Sequence, residues 1–131
     1  MSIVILILMF TIPAFSPGTG EATIFRQEAI MPYEKLWRAI CKVESNNNPL
    51  AYNPHEGAVG IAQVRLCRIK DYNRLTRQNM PLKAMYDPLK AKEVFMYFAG
   101  QFSPDDILGI CRSWNGQSRM NKYYKKVKLL I

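Results

Sequence analysis

From Tyr33 onward, apolar residues recur three and four positions apart in one segment after another, and no stretch alternates apolar and polar residues for long enough to make a strand. A chain built this way has to bury helical stripes against one another, so the expected fold is mainly α. The length of 131 residues leaves room for one domain with a real core and little else. The first pattern runs from Tyr33 to Glu44, with Leu36, Trp37, Ile40 and Cys41 on one stripe. Residues 45–60, rich in Asn, Pro and Gly, read as an ordered loop. A short helix is expected around 66–75, and an irregular stretch with Pro81 over 76–86. Asp87-Pro88 supplies an N-cap and a proline at the first helical position. The helix this opens, over 88–102, carries Leu89, Val94, Phe95, Met96, Phe98 and Phe102 around most of its circumference and is expected to be central and buried. Ser103-Pro104-Asp105-Asp106 repeats the start signal. Ile107, Leu108, Ile110, Cys111 and Trp114 then mark one face of a helix stopping at Asn115-Gly116. The last helix spaces Met120, Tyr123, Tyr124, Val127 and Leu130 among four lysines.

Residues 1–22 differ from the rest. Ile3 to Phe15 is an almost unbroken apolar run, too short to span a bilayer comfortably but matching the core of a secretory signal peptide. Small residues near Gly20-Glu21-Ala22 suit cleavage, although no Lys or Arg precedes the run. Residues 1–22 are thus expected to be a signal peptide or an N-terminal anchor, with a hydrophobic first helix as the alternative. Residues 23–131 form the domain. The expected location is outside the cytoplasm, in the periplasm or cell envelope. Any membrane contact would come through an uncleaved N-terminal segment.

The formal charge of +8 becomes +9 if residues 1–22 are removed, because Glu21 goes and no cation does. Such a surface favours an anionic partner: cell wall, membrane surface or nucleic acid. No nucleic-acid motif is present and export argues against that partner, so none is expected. Cys41, Cys67 and Cys111 allow one disulfide drawn three ways, or free buried thiols. Their spacing fits no zinc site and His55 is the only histidine. Neither a metal nor a cofactor is expected.

Glu44 continues the apolar stripe one turn beyond Ile40. A carboxylate aimed at the apolar side of its own helix is unusual. Partial desolvation would raise its pKa toward what a general acid needs near neutral pH. A helix-end glutamate paired with a lysine is the plainer alternative, and the helix alone favours it.

Further residues place Glu44 in a wider pattern. Glu44-Ser45, Asn48-Pro49 and the run from Gly57 through Ala58, Gly60 and Gln63 resemble the lytic transglycosylases of the SLT-domain type, whose pattern is E-S-x-x-N-P followed by G-A-x-G-L-M-Q. Trp114-Asn115-Gly116 is similar to that family's A-Y-N-x-G, Tyr86-Asp87-Pro88 to the aspartate-proline opening its central helix, and Tyr123 to Val127 to its closing Y-V-x-x-V. The resemblance covers residues 33–128. It implies a lysozyme-like single domain with a glycan-binding groove, and peptidoglycan glycan strands as partner. It also implies Glu44 as the one catalytic residue, protonating the bond between N-acetylmuramic acid and N-acetylglucosamine and leaving a 1,6-anhydro sugar. By the same resemblance Ser45 would fix the helix end. Gln63 would bond sugar groups from the groove wall, Trp114 and Asn115 would flank the cleavage point, and Tyr123 would lie near the carboxylate. Small stand-alone members of the family serve a secretion, conjugation or phage apparatus, which is the further partner implied.

The chain also departs from the pattern. Asn53 stands where many relatives carry serine, still as a candidate substrate contact. Ala62 replaces a bulky methionine, which would widen the groove wall. Ala91 replaces an asparagine, and Trp114 lacks a tyrosine hydroxyl. Gly57 and Gly60 serve tight turns. Asp87, Asp105 and Asp106 read as helix-start residues, and Glu34 and Glu93 as exposed charges. Glu56 is the only second carboxylate placed for a hydrolase, in which it would activate water. A catalytically silent glycan-binding module is the remaining alternative.

Overall fold

The computed structural model describes residues 33–116 and 120–131. The expectations for residues 1–22 and for the linker that follows lie outside them. Helix α1 covers 33–45, and a two-stranded antiparallel hairpin pairs β1 (Tyr52–Asn53) with β2 (Ala58–Val59). There follow α2 (Leu66–Thr76), a 3-10 helix (Leu82–Tyr86), α3 (Pro88–Ala99), α4 (Ile107–Asn115) and α5 (Met120–Lys128). The fold is mainly α and forms one small domain, as the periodicity requires. The hairpin and the 3-10 helix are additions that the pattern did not contain. Among the described residues no helix is long and apolar enough to cross a membrane.

The core gathers around Phe95 on α3. Trp37 of α1 and Trp114 of α4 both pack on its ring at 5.3 Å between centroids, Trp114 edge-on. Leu36, Ile40, Ile69, Met85, Val94, Ile110 and Val127 are buried with it, and side chains of this size contribute about 1.5–3 kcal/mol each. The stripe of α1 faces inward as expected. Asp87 caps α3 by accepting from the Leu89 N–H, worth about 1 kcal/mol.

Several expectations need correction. Helix α3 stops at Ala99, so Phe102 lies past its end, and Leu89 faces solvent in its first turn. Leu108 and Leu130 are also exposed. Asp106 caps α4 as a helix-start residue should, accepting from the Gly109 N–H at 2.8 Å. Glu34 is half-buried, with Arg38 and Lys92 as ion-pair partners. Glu93 accepts a hydrogen bond from the Tyr72 hydroxyl. All three cysteines are free: Cys41 and Cys111 are buried and Cys67 is exposed.

Candidate active site

Helix α1 ends abruptly because Asn46 and Asn47 both take positive φ, 55° and 64°, a region asparagine enters more readily than most residues. Their N–H groups turn back to the carbonyls of Lys42 and Cys41. Glu44 therefore sits in the last turn, where the apolar stripe runs out into open space. Ser45 locks this end to the rest of the molecule. Its hydroxyl donates to the Ile61 carbonyl at 2.7 Å and accepts from the Asn48 N–H at 3.1 Å.

Residues 51–64 form the adjoining wall. Gly60 donates its N–H to the Ala51 carbonyl at 2.8 Å, and Val59 pairs with Val64 in both directions. Gly60 has φ of 81°, and a Cβ there would meet the Met85 carbonyl oxygen at 1.9 Å. The glycine is required by its turn and also by the close passage of the 3-10 helix. Asn53 bends the hairpin by accepting from the His55 N–H through Oδ1, and its Nδ2 has no hydrogen-bond partner among the described residues.

Against these elements the start of α2, the end of α4 and one side of α5 enclose a cavity of about 590 Å³. Glu44, Asn53, Asn115 and Tyr123 all line it, so four of the seven candidate residues come together, joined by Glu56, Arg65, Lys122 and Lys126. The Tyr123 hydroxyl donates to Glu44 Oε1 at 2.7 Å, across 79 positions of sequence. Burial pushes the Glu44 carboxyl up to about 7; the Tyr123 hydrogen bond and the nearby Arg65 charge pull it down, and Glu56 pushes it up. Burial and the Glu44 charge also drive the Tyr123 phenol far above its ordinary value, so it stays a donor. A carboxyl near 7 can hold a proton or give it up at neutral pH, which is what an acid that must afterwards act as a base requires.

The other three candidate residues lie elsewhere. Ser45 holds the helix end as described. Gln63 has φ of 51° and spends its side-chain N–H groups on the carbonyls of Gly60 (3.0 Å) and Ala51 (3.4 Å), inside the hairpin wall. Trp114 is buried, its indole N–H donating to the Ala62 carbonyl at 3.2 Å. Both instead border a small neighbouring pocket with Arg65, Arg68 and Cys67, Arg65 lining it and the larger cavity alike. Ala62 is fully buried, so its small side chain opens no groove wall. Arg65, Lys122 and Lys126 were not singled out as site residues. Lys122 and Lys126 carried a signal, since they lie one position before Tyr123 and Val127, which face inward from α5. Arg65 carried none: it reaches the cavity only because the hairpin turns the chain there.

Among the described residues, no three His, Cys, Asp or Glu side chains come together as a metal-ligand set. Comparison of the chain with protein-family models, with curated proteins and with solved structures gave no match.

Proposed function

We propose that the chain is a peptidoglycan lytic transglycosylase with a lysozyme-like fold, and that Glu44 is its single general acid and base. The observation that carries this reading is one carboxyl, held near neutrality by burial and anchored by Tyr123, on the wall of a cavity of about 590 Å³. Oε1 accepts from Tyr123, so Oε2 carries the proton. That proton goes to the oxygen joining N-acetylmuramic acid to N-acetylglucosamine, and the bond from that oxygen to C1 of the muramic sugar breaks. The resulting carboxylate takes the proton of the muramic C6 hydroxyl as its oxygen closes on C1. The proton lost in the first half is recovered in the second, and no water is consumed. One carboxylate suffices because the nucleophile belongs to the substrate, unlike the scheme with two carboxylates. The motifs around Glu44, Gln63, Asn115 and Tyr123 support the choice of peptidoglycan.

A second reading has its own observation. Glu56 lines the same cavity and could activate water for a muramidase-type hydrolysis. Digesting purified peptidoglycan and weighing the fragments separates the two. Fragments one water lighter than reducing-end products are expected. Reducing ends would move the reaction to hydrolysis and the second role to Glu56. Glycan binding without cleavage would leave a silent binding module.

A further inference from the structure

The cavity carries more positive charge than acid chemistry asks for. Arg65, Lys122 and Lys126 line it together with Glu44 and Glu56. Three cations face two carboxyls, and burial favours the neutral form of one of these, so cations are in excess. Ion pairs on the described surface are few: Arg38 and Lys92 meet Glu34, Arg74 meets Asp71 and Lys90 meets Glu93; what sets Arg65, Lys122 and Lys126 apart is that all three line one cavity. Among the described residues, Arg65, Lys122 and Lys126 have no such ion pair. Lys122 and Lys126 are also one helical turn apart on α5, a like-charge spacing that costs a helix a few tenths of a kcal/mol. Arg65 makes one long contact, Nη2 to the Asn115 carbonyl at 3.4 Å, which leaves most of its five donors unused. Tyr123, between the two lysines in sequence, is tied to Glu44, so their register beside the acid is fixed.

We infer that Arg65, Lys122 and Lys126 form an anion subsite that takes carboxylate groups carried by the glycan, so that the cavity selects a carboxylate-bearing strand over a neutral one. This rests on the reading of the cavity as a glycan site. An arginine fork and two ammonium groups match carboxylates in charge and in donors. A neutral N-acetylated glycan offers them hydroxyl and amide oxygens as acceptors but no opposite charge, so its hydrogen bonds are the weaker ones. Two sources present the same chemistry: the lactyl carboxylate of a muramic sugar stripped of peptide, and the carboxylates of an intact peptide stem.

The test measures binding to the Glu44→Gln protein, so that cleavage does not interfere. The probes are peptide-bearing glycan strands, strands stripped of peptide, and chitin oligomers, at low and at high salt. At low salt at least one carboxylate-bearing probe binds about tenfold or more tighter than chitin oligomers, and high salt erases the preference. Lys122→Gln with Lys126→Gln brings the ratio close to one, and Lys122→Glu reverses it; circular dichroism checks that each variant keeps its helices. The stripped strands alone showing the preference assigns the subsite to the lactyl group, and the peptide-bearing strands alone assign it to the stem. Equal affinity for all three probes overturns the subsite and leaves the proposed reaction standing. Binding to none of them overturns both.

Discussion

Helix α1 carries a glutamate near each end, and the two have opposite fates. Glu34, in its first turn, meets Arg38 and Lys92 and is held below the ordinary carboxylate value, chiefly by the Lys92 hydrogen bond. Glu44, in its last turn, is bonded by a neutral phenol on the wall of the cavity and is pushed up to about 7 by burial. Both residues are glutamate on one helix; the difference lies in what the rest of the fold brings to each. Cations make Glu34 a structural charge. Burial, with a hydroxyl as its hydrogen-bond partner and no ion pair among the described residues, makes Glu44 a reagent. Desolvation wins over hydrogen bonding at Glu44 because a single neutral donor replaces only part of the water removed.

The widest separation between the two is expected in catalysis. Glu44→Gln should lower release of soluble peptidoglycan fragments by about 10³-fold, within the range general acid–base groups supply. Glu34→Gln should stay within about threefold of the parent. Equal losses in the two would reduce Glu44 to another structural charge.

Stability against pH should then separate them by sign. In the unfolded chain Glu44 ionises near 4.5, but in the folded protein only near 7. Its contribution is complete below pH 4.5 and is lost as the pH rises to 7, by about 3 kcal/mol. The lowered Glu34 works the other way: its contribution is present above 4.5 and disappears as the pH falls through its folded value. Thermal midpoints across pH should show Glu44→Gln losing the decline between 4.5 and 7 and exceeding the parent above 7. Glu34→Gln should lose stability at neutral pH.

A smaller effect is expected at Tyr123. Its hydroxyl favours the charged form of Glu44, so Tyr123→Phe should move the alkaline limb of the activity profile up by about one pH unit. A limb that stayed in place would assign Tyr123 to packing alone. Smallest is Ser45→Ala, which deprives the Ile61 carbonyl and the Asn48 N–H of their partner. Equilibrium unfolding should record a loss of about 1 kcal/mol.

Much of this is legible in the sequence. Leu36, Trp37, Ile40 and Cys41 announced the buried face of α1, and their stripe led to Glu44. Asp87-Pro88 gave the start of α3. What stayed hidden was structure without a period. The hairpin strands are two residues each, and the 3-10 helix spans five, too short to repeat a pattern. Leu89, Leu108 and Leu130 broke the expected faces because an apolar residue near a helix end can be left in solvent without breaking the core. In the site, the helix marks Glu44 as unusual but by itself favours a lysine-paired glutamate; the resemblance points to the acid and to Tyr123, whose partner lies 79 residues away. The carbonyls that occupy Gln63 and Trp114 come from how the chain folds back on itself, and side-chain identity does not encode that.

The most direct test of a proton-holding Glu44 is its own titration, followed by carbon-13 NMR of the side-chain carboxyls. Glu44 should titrate near 7 and Glu34 below its ordinary range, and Tyr123→Phe should raise the first and leave the second unmoved. A Glu44 carboxyl that titrates near 4.5 would contradict the account, because the acid it assigns would then be ionised before catalysis began.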